Sequence, residues 1–410
     1  MNVTITPTRL KGSVTPPPSK SQAHRLIIAA ALSDGVCRLS NVELSQDIQA
    51  TLRCMRTLGA DASSDGTVIR GCDLVDGFEI PPPEVMDCGE SGSTLRFLIP
   101  VALALQGGGK FTGHGRLMER PQGPYFDLFR EKGISWSLED GVLTVSGKLA
   151  PGRYALPGDV SSQFITGLLF ALPLLEGDSE IHLTTELESR DYVDMTLDAL
   201  DRFGVRAEWD GPRRLRVPGN QVYVHRDLAI EADWSNAAFW YAAIFAGCQV
   251  EVKGLNAFSV QGDMRVVPYF MKLQGRGAVE LDVSQCPDLV PPLAAMAALR
   301  DGETTCIANA ARLRMKESDR LTTVTQVLTA LGADVEEGED FLLLRGKREL
   351  AGGVTVSGHN DHRIAMMAAI AAIRCREPVT VTGAECVGKS YPRFWEDYEK
   401  LGGRIVRREG

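Results

Sequence analysis

Surplus charge of either sign, paired cysteines and long apolar runs are all scarce in this chain, and each shortage excludes a class of function. The 410 residues carry 44 Lys and Arg against 53 Asp and Glu, a net charge of -9. So mild an acidity argues against a protein held on nucleic acid or anionic lipid by bulk charge, and leaves room only for a local basic cluster. The richest apolar stretches, residues 237–248 and 364–373, run to about a dozen residues, whereas a membrane-spanning helix needs about 20. The opening MNVTITPTRLKG has neither an apolar core nor a small-residue cleavage site, so no secretory signal is read there. Nine cysteines form an odd set with no C-x-x-C pair. Structural zinc and a disulfide framework both lose support, and a cytoplasmic location fits best. Nucleotide and metal signatures are missing too: there is no G-x-x-x-x-G-K-S/T, no H-E-x-x-H, and no G-x-G-x-x-G after a strand. His114, His182, His225 and His359 stand isolated, and no aromatic-rich basic strand is present to stack bases.

What the chain does have is repetition. A segment that opens with small polar residues, runs on as a helix-length apolar stretch and ends in a turn and short strand occurs six times. The copies are PSKSQAHRLIIAAAL from Pro18, GESGSTLRFLIPVAL from Gly89, SSQFITGLLFALPLL from Ser161, DWSNAAFWYAAIFAG from Asp233, PDLVPPLAAMAALRDG from Pro287 and NDHRIAMMAAIAAI from Asn360. Their spacing is roughly 70 residues with one shorter interval, the mark of a duplicated structural unit. Most copies are followed by an amphipathic helix that stops at Gly, as in DIQATLRCMRTLGA from Asp47, DYVDMTLDALDRFGV from Asp191 and SDRLTTVTQVLTALGA from Ser318. In the last, Leu321, Val324, Val327 and Leu328 share one face, and a Gly past the final turn is the expected stop. Short β-rich segments such as GVLTVSG, EVKGL and PVTVTG separate the helices. The expectation is an α/β protein of two similar domains with three repeats each. Boundaries are expected near residues 17/18 and 228/229, giving 18–228 as one domain and 1–17 with 229–410 as the other.

The apolar helices open on unusual residues. Their first turns hold Lys20, Ser21 and Arg25; Gly92, Ser93, Thr94 and Arg96; and Ser161, Ser162 and Gln163. Later copies begin at Asp288 and at Asn360, Asp361, His362 and Arg363. Capping accounts for the hydroxyls, Asp and Asn. It does not account for Lys20, Arg25, Arg96 and Arg363, because cations are disfavoured at the positive end of a helix. An anion held there by backbone amides and cations together resolves the conflict, and Gly92 lets backbone approach it closely. GRLMERPQGP adds Arg116 and Arg120, which serve equally as solvated loop charges. MKESDR adds Lys316, Glu317, Asp319 and Arg320, which serve equally as ordinary helix pairs. VGKSYPRF adds Lys389. Several such helix ends together would bind a heavily anionic, phosphorylated ligand.

The ordered motifs PSKSQAHR, GESGSTLR, MERP, GDVSSQF, ESRDY, CPD, RMKESDR, NDHRIAM and GKSYP, spread over residues 20–392, resemble those of the 3-phosphoshikimate 1-carboxyvinyltransferases, or EPSP synthases, of the enolpyruvyl transferase family. The resemblance implies two domains of three βαβαββ units each around buried parallel helices, an inside-out α/β barrel, with the active site in the interdomain cleft. It implies transfer of the enolpyruvyl group of phosphoenolpyruvate to the 5-hydroxyl of shikimate 3-phosphate, with no cofactor, metal, nucleic acid or membrane partner, in a monomer. By similarity, Lys20, Ser21, Arg25, Ser161, Ser162, Gln163, Ser189, Tyr192, Asp288 and Lys316 would hold shikimate 3-phosphate. Lys20, Gly92, Arg96, Arg120, Gln163, Arg320, Arg363 and Lys389 would hold phosphoenolpyruvate. Asp288, Glu317, Lys20 and Lys389 would be catalytic.

Eight cations against roughly five to six negative charges on the two substrates balance without a metal ion. Two positions depart from the common pattern: Glu90 stands where many relatives have Asn, and Arg312 where some use Asn. The related UDP-N-acetylglucosamine enolpyruvyl transferases are a rival reading, but their loop cysteine has no counterpart in GRLMERP. A non-catalytic anion-binding relative is a second, disfavoured by intact Asp288, Glu317 and Lys389.

Overall fold

The structure is a computed structural model describing residues 1–72 and 84–409. By its internal contacts the chain divides into two compact units, Pro18–Glu231 and Met1–Pro17 with Ala232–Gly410. The second crossing falls at 231/232 rather than 228/229 because Leu228–Ala229 pairs in parallel with Leu39 and Ser40 and so stays with the first unit.

Within Pro18–Glu231 the helices are α1 (Lys20–Ala31), α2 (Gln46–Thr57), α3 (Gly92–Gln106), α4 (Gly123–Lys132), α5 (Ser162–Ala171) and α6 (Arg190–Arg202). The odd-numbered helices are the apolar copies, and they lie inside: every residue of α1 from Gln22 to Ala31 is buried. A helix apolar on all sides has no face to offer water, so it can only be a core element. The even-numbered helices bury one face. Three four-stranded sheets accompany them, each joining one parallel pair to two antiparallel ones. The second and third repeats run βαβαββ in chain order. The first borrows its opening strand, Leu228–Ala229, from the far end of the unit, so the three repeats close in a circle.

The other unit holds α7 (Trp234–Phe245), α8 (Val266–Gln274), α9 (Val290–Ala298), α10 (Arg320–Ala330), α11 (His362–Ala372) and α12 (Phe394–Lys400). Here the first 17 residues complete the circle: Asn2–Thr6 becomes a middle strand of the last repeat's sheet, and Lys11–Val14 pairs with Gln249–Val252. The repeat built on α7 departs from the expected six-element pattern. Only four residues separate α8 from the strand Val279–Asp282, which leaves no chain for a closing hairpin, and its sheet has two strands.

Local sequence explains the helix ends. Ser19, Ser91, Ser161, Asp233 and Asp361 each accept a hydrogen bond from a backbone N–H in the first turn of α1, α3, α5, α7 and α11. Gly59, Gly204 and Gly332 follow α2, α6 and α10 with positive φ, as the Gly stops predict. Leu321, Val324, Val327 and Leu328 of α10 are all buried. α3 and α5 touch at Gly167, where a β-carbon would lie 2.3 Å from the Tyr125 hydroxyl and 2.4 Å from the Arg96 carbonyl. The Tyr125 hydroxyl lies between the carbonyls of Arg96 and Phe164, at 2.7 and 3.0 Å, and donates its one hydrogen to this pair.

Candidate active site

In the unit Pro18–Glu231, the residues singled out in the sequence collect at the starts of α1, α3, α5 and α6. Lys20, the first residue of α1, donates from Nζ to Asp47 Oδ2 at 2.8 Å. Arg25, one turn on, is buried and its donors meet protein oxygens: Nε to Thr196 Oγ1 (2.9 Å), Nη1 to the Ser21 carbonyl (2.7 Å) and Nη2 to the Tyr192 carbonyl (2.8 Å). Its guanidinium also lies 5.2 Å from the centre of the Phe97 ring. Burial lowers the Arg25 pKa to about 10, with Tyr192 opposing, so the group keeps its charge at neutral pH. Ser189 caps α6 in the left-handed conformation, φ +57°, a strained state for serine that tends to mark functional sites.

Arg96 and Arg120 do different jobs. Arg96 donates to Gln163 Oε1 at 2.8 Å and to the Pro121 carbonyl at 2.9 Å, and stands 4.7 Å from the centre of the Phe164 ring. Gln163 in turn donates to Ser93 Oγ at 3.0 Å. Arg96 thus fastens α3, α5 and the loop before α4 to one another. Arg120 lies over Gly92: a β-carbon on residue 92 would be 2.7 Å from its Nη1, and its buried Nε has no hydrogen-bond partner. The Glu90 carboxylate packs on Gly115, where a β-carbon would be 2.5 Å from Oε2. Four cations here (Lys20, Arg25, Arg96, Arg120) accompany two carboxylates (Asp47, Glu90), a surplus of two positive charges.

The unit Met1–Pro17 with Ala232–Gly410 builds its cluster around Arg320, the first residue of α10 and only 1% exposed. Its Nε donates to Asp361 Oδ2 (2.8 Å), Nη1 to Asp288 Oδ1 (2.7 Å) and Nη2 to Glu317 Oε2 (2.7 Å). Burial opposes the charge, but Asp361, Glu317 and Asp288 together hold the Arg320 pKa above its ordinary value. Asp288 sits in a 3-10 turn ahead of α9 and does not cap that helix, so its carboxylate is available to cations. Besides Arg320 it meets Lys316 Nζ at 3.3 Å and Arg363 Nη2 at 3.3 Å. Burial pulls the Lys316 ammonium below the usual lysine range, with Asp288 partly restoring it. Lys389 Nζ donates to the Asn360 carbonyl at 2.6 Å, and Arg312 Nη2 to the Ser284 carbonyl at 2.6 Å.

Sequence reasoning missed Asp263. It is 5% exposed, and burial together with the negative charge of Asp288 pushes its pKa up to about 6, with Arg363 opposing. An acid in V-Q-G-D-M-R carries no periodic or motif signal, so only the fold shows that it is buried within the field of Asp288. The charge count in the sequence is also corrected, because it took in cations alone. In this unit Lys316, Arg320, Arg363 and Lys389 accompany four carboxylates, Asp263, Asp288, Glu317 and Asp361, and Arg312 acts on Lys316 as a further cation. Among the described residues no group of three His, Cys, Asp or Glu side chains is arranged to hold a metal ion, and no helix is long and apolar enough to cross a membrane.

A family model described as EPSP synthase (3-phosphoshikimate 1-carboxyvinyltransferase) matches residues 5–398. The chain belongs to the EPSP synthase family. It is 47% identical over 423 residues to a 3-phosphoshikimate 1-carboxyvinyltransferase of Clostridium kluyveri, covering 98% of each chain. It is 46% identical to the protein of that name from Clostridium acetobutylicum, again covering 98% of each. Its fold matches the solved structure of EPSP synthase from Acinetobacter baumannii with a TM-score of 0.80 at 24% identity, over 100% of both chains. The fold agrees with the two domains of three repeats expected from repeat counting and with the βαβαββ unit implied by the resemblance, apart from the hairpin missing after α8.

Proposed function

We infer that this chain transfers the enolpyruvyl group of phosphoenolpyruvate to the 5-hydroxyl of shikimate 3-phosphate, giving 5-O-(1-carboxyvinyl)-3-phosphoshikimate and phosphate. Membership of the EPSP synthase family supports the reaction. One observation supports the assignment of roles: a single buried guanidinium, Arg320, holds the carboxylates of both Asp288 and Glu317 at 2.7 Å. Two acids in fixed relation are what an addition and elimination with two proton transfers requires.

In this reading Glu317 delivers a proton to C3 of the enol, C2 gains oxocarbenium character, and the 5-hydroxyl attacks C2 while Asp288 takes its proton. A tetrahedral ketal results. Glu317 then takes a proton back from C3, which re-forms the double bond as the C2–O bond to phosphate breaks; the proton on Asp288 passes to the departing phosphate, whose charge Lys20 and Lys389 support. Lys20, Ser21, Arg25, Ser161, Ser162, Gln163, Ser189, Tyr192, Asp288 and Lys316 are assigned to shikimate 3-phosphate. Lys20, Gly92, Arg96, Arg120, Gln163, Arg320, Arg363 and Lys389 are assigned to phosphoenolpyruvate. Two of these act through their own bonds: Arg96 by orienting Gln163, and Arg25 by ordering Ser21 and Tyr192. Pro18–Glu231 and its companion unit are taken as the two enolpyruvyl-transferase domains of a cytoplasmic monomer. Glyphosate is expected to compete with phosphoenolpyruvate, less tightly than where residue 90 is uncharged.

The test is phosphate release from phosphoenolpyruvate, without added metal, offering shikimate 3-phosphate and UDP-N-acetylglucosamine separately. Release with shikimate 3-phosphate alone is the expected result. Release with the nucleotide sugar alone would move the acceptor assignment to the rival enzyme, and silence with both from folded protein would leave an anion-binding relative.

A further inference from the structure

A chain of buried hydroxyls runs from α1 through α2 to the start of α3, and it has a direction. Ser91 Oγ, the cap of α3, accepts from the Thr94 amide at 3.1 Å and from the Thr94 hydroxyl at 2.8 Å. Thr94 has one hydroxyl proton and gives it to Ser91, so in its 2.7 Å contact with Thr51 Oγ1 Thr51 donates, in preference to the Asp47 carbonyl 3.4 Å away. Thr51 then has no proton left for His24 Nδ1, 2.7 Å away. Each hydroxyl donates once, so Nδ1 must carry the hydrogen and donate. The order is His24 to Thr51 to Thr94 to Ser91.

Three further observations support that order. His24, Thr51, Thr94 and Ser91 are all 0–1% exposed, so the chain is shielded from bulk solvent. His24 Nε2 is buried with no hydrogen-bond partner, so a proton there would have no acceptor. Burial, with Lys20 and Arg25 nearby, pulls the His24 pKa well below its ordinary value, so the ring is neutral and holds its one hydrogen on Nδ1.

The two ends of the chain lie beside residues assigned above to substrate. His24 is one turn beyond Lys20 on α1, and Ser91 immediately precedes Gly92. Because Ser91 takes the Thr94 amide, the amides at Gly92 and Ser93 are the ones the cap leaves open, as at any helix start. We propose that His24, through Thr51, Thr94 and Ser91, is a positioning residue that holds the amide end of α3 at Gly92 in register with Lys20 for phosphoenolpyruvate. The proposal rests on the enolpyruvyl-transfer reading above.

Steady-state kinetics and thermal unfolding of four variants test it. His24→Leu removes the donor, and KM for phosphoenolpyruvate should rise about tenfold, the scale of one net hydrogen bond. The KM for shikimate 3-phosphate and kcat should stay within about 1.5-fold of the parent, a small fraction of that scale. His24→Asn, whose amide N–H can take the place of Nδ1–H, should restore the parent value. Should His24→Leu fail to fold, Thr51→Val cuts the same chain at its middle and Thr51→Ser repairs it, and the same contrast is expected. A lower Tm with unchanged KM for phosphoenolpyruvate in both His24→Leu and Thr51→Val would overturn the proposal, leaving the chain a packing device. Equal rises in both KM values would overturn it too. An inactive parent protein would instead remove the reaction reading, and the positioning role with it.

Discussion

Arg120 Nη1 occupies the place that a side chain on Gly92 would need, 2.7 Å from where its β-carbon would stand. A β-carbon there would push the guanidinium, the far end of a flexible side chain, away from the amide end of α3. Gly92→Ala should therefore raise KM for phosphoenolpyruvate about tenfold, near 1.4 kcal/mol, with a smaller change for shikimate 3-phosphate. An unchanged KM would mean that Arg120 at Gly92 does not touch the donor substrate.

Asp288 and Glu317 are separable by isosteric change. Asp288→Asn and Glu317→Gln keep shape and remove the proton-transfer group, so each should lower kcat by about 10² or more while substrate binding survives. Binding is measured directly by titration calorimetry, because Asp288→Asn also weakens the hold on Arg320, Lys316 and Arg363. Turnover near the parent rate in either variant removes that residue from the proton chemistry.

Asp263 makes stability depend on pH with a definite sign. Its folded pKa of about 6 exceeds the ordinary 3.8, so between those values the folded chain retains a proton that the unfolded chain has lost. Stability from this group therefore falls as pH rises from about 4 to 6 and stays lost above it, by about 1–3 kcal/mol in all. Asp263→Asn lacks the effect. Denaturant melts at pH 4.5 and 7.5 should show the variant gaining on the parent at the higher pH, and a constant difference would refute the assignment.

The contact between α3 and α5 admits no methyl group. Gly167→Ala would drive a carbon into the Tyr125 hydroxyl and the Arg96 carbonyl, at a cost of about 1–3 kcal/mol. A drop in Tm with native-like circular dichroism is expected, and a variant as stable as the parent would show that the two helices part freely.

Much of the fold was legible because its signals are local. Six apolar runs marked the inner helices, and Gly59, Gly204 and Gly332 marked the ends of three outer ones. The missing hairpin after α8 was not legible, since a short interval between repeats does not say which element is lost. In the site, the cations were readable because they sit in the first turns of those same helices. Their partners were not. Arg25 meets Thr196 across 171 residues, and Arg320 meets Asp288 and Asp361 across 32 and 41, separations at which spacing carries no information.

The sequence by itself determined the six inner apolar helices and their order, the caps, and the placing of Lys20, Arg96, Arg320 and Arg363 at or near helix starts. Those features depend on hydrogen bonds and side-chain periodicity within a few residues of chain. Only the tertiary structure decided that Arg320 gathers Asp288, Glu317 and Asp361, that burial and Asp288 raise the Asp263 pKa, and that Arg120 rests on Gly92. Charge pairing and desolvation depend on distances that exist only after distant segments have closed on one another.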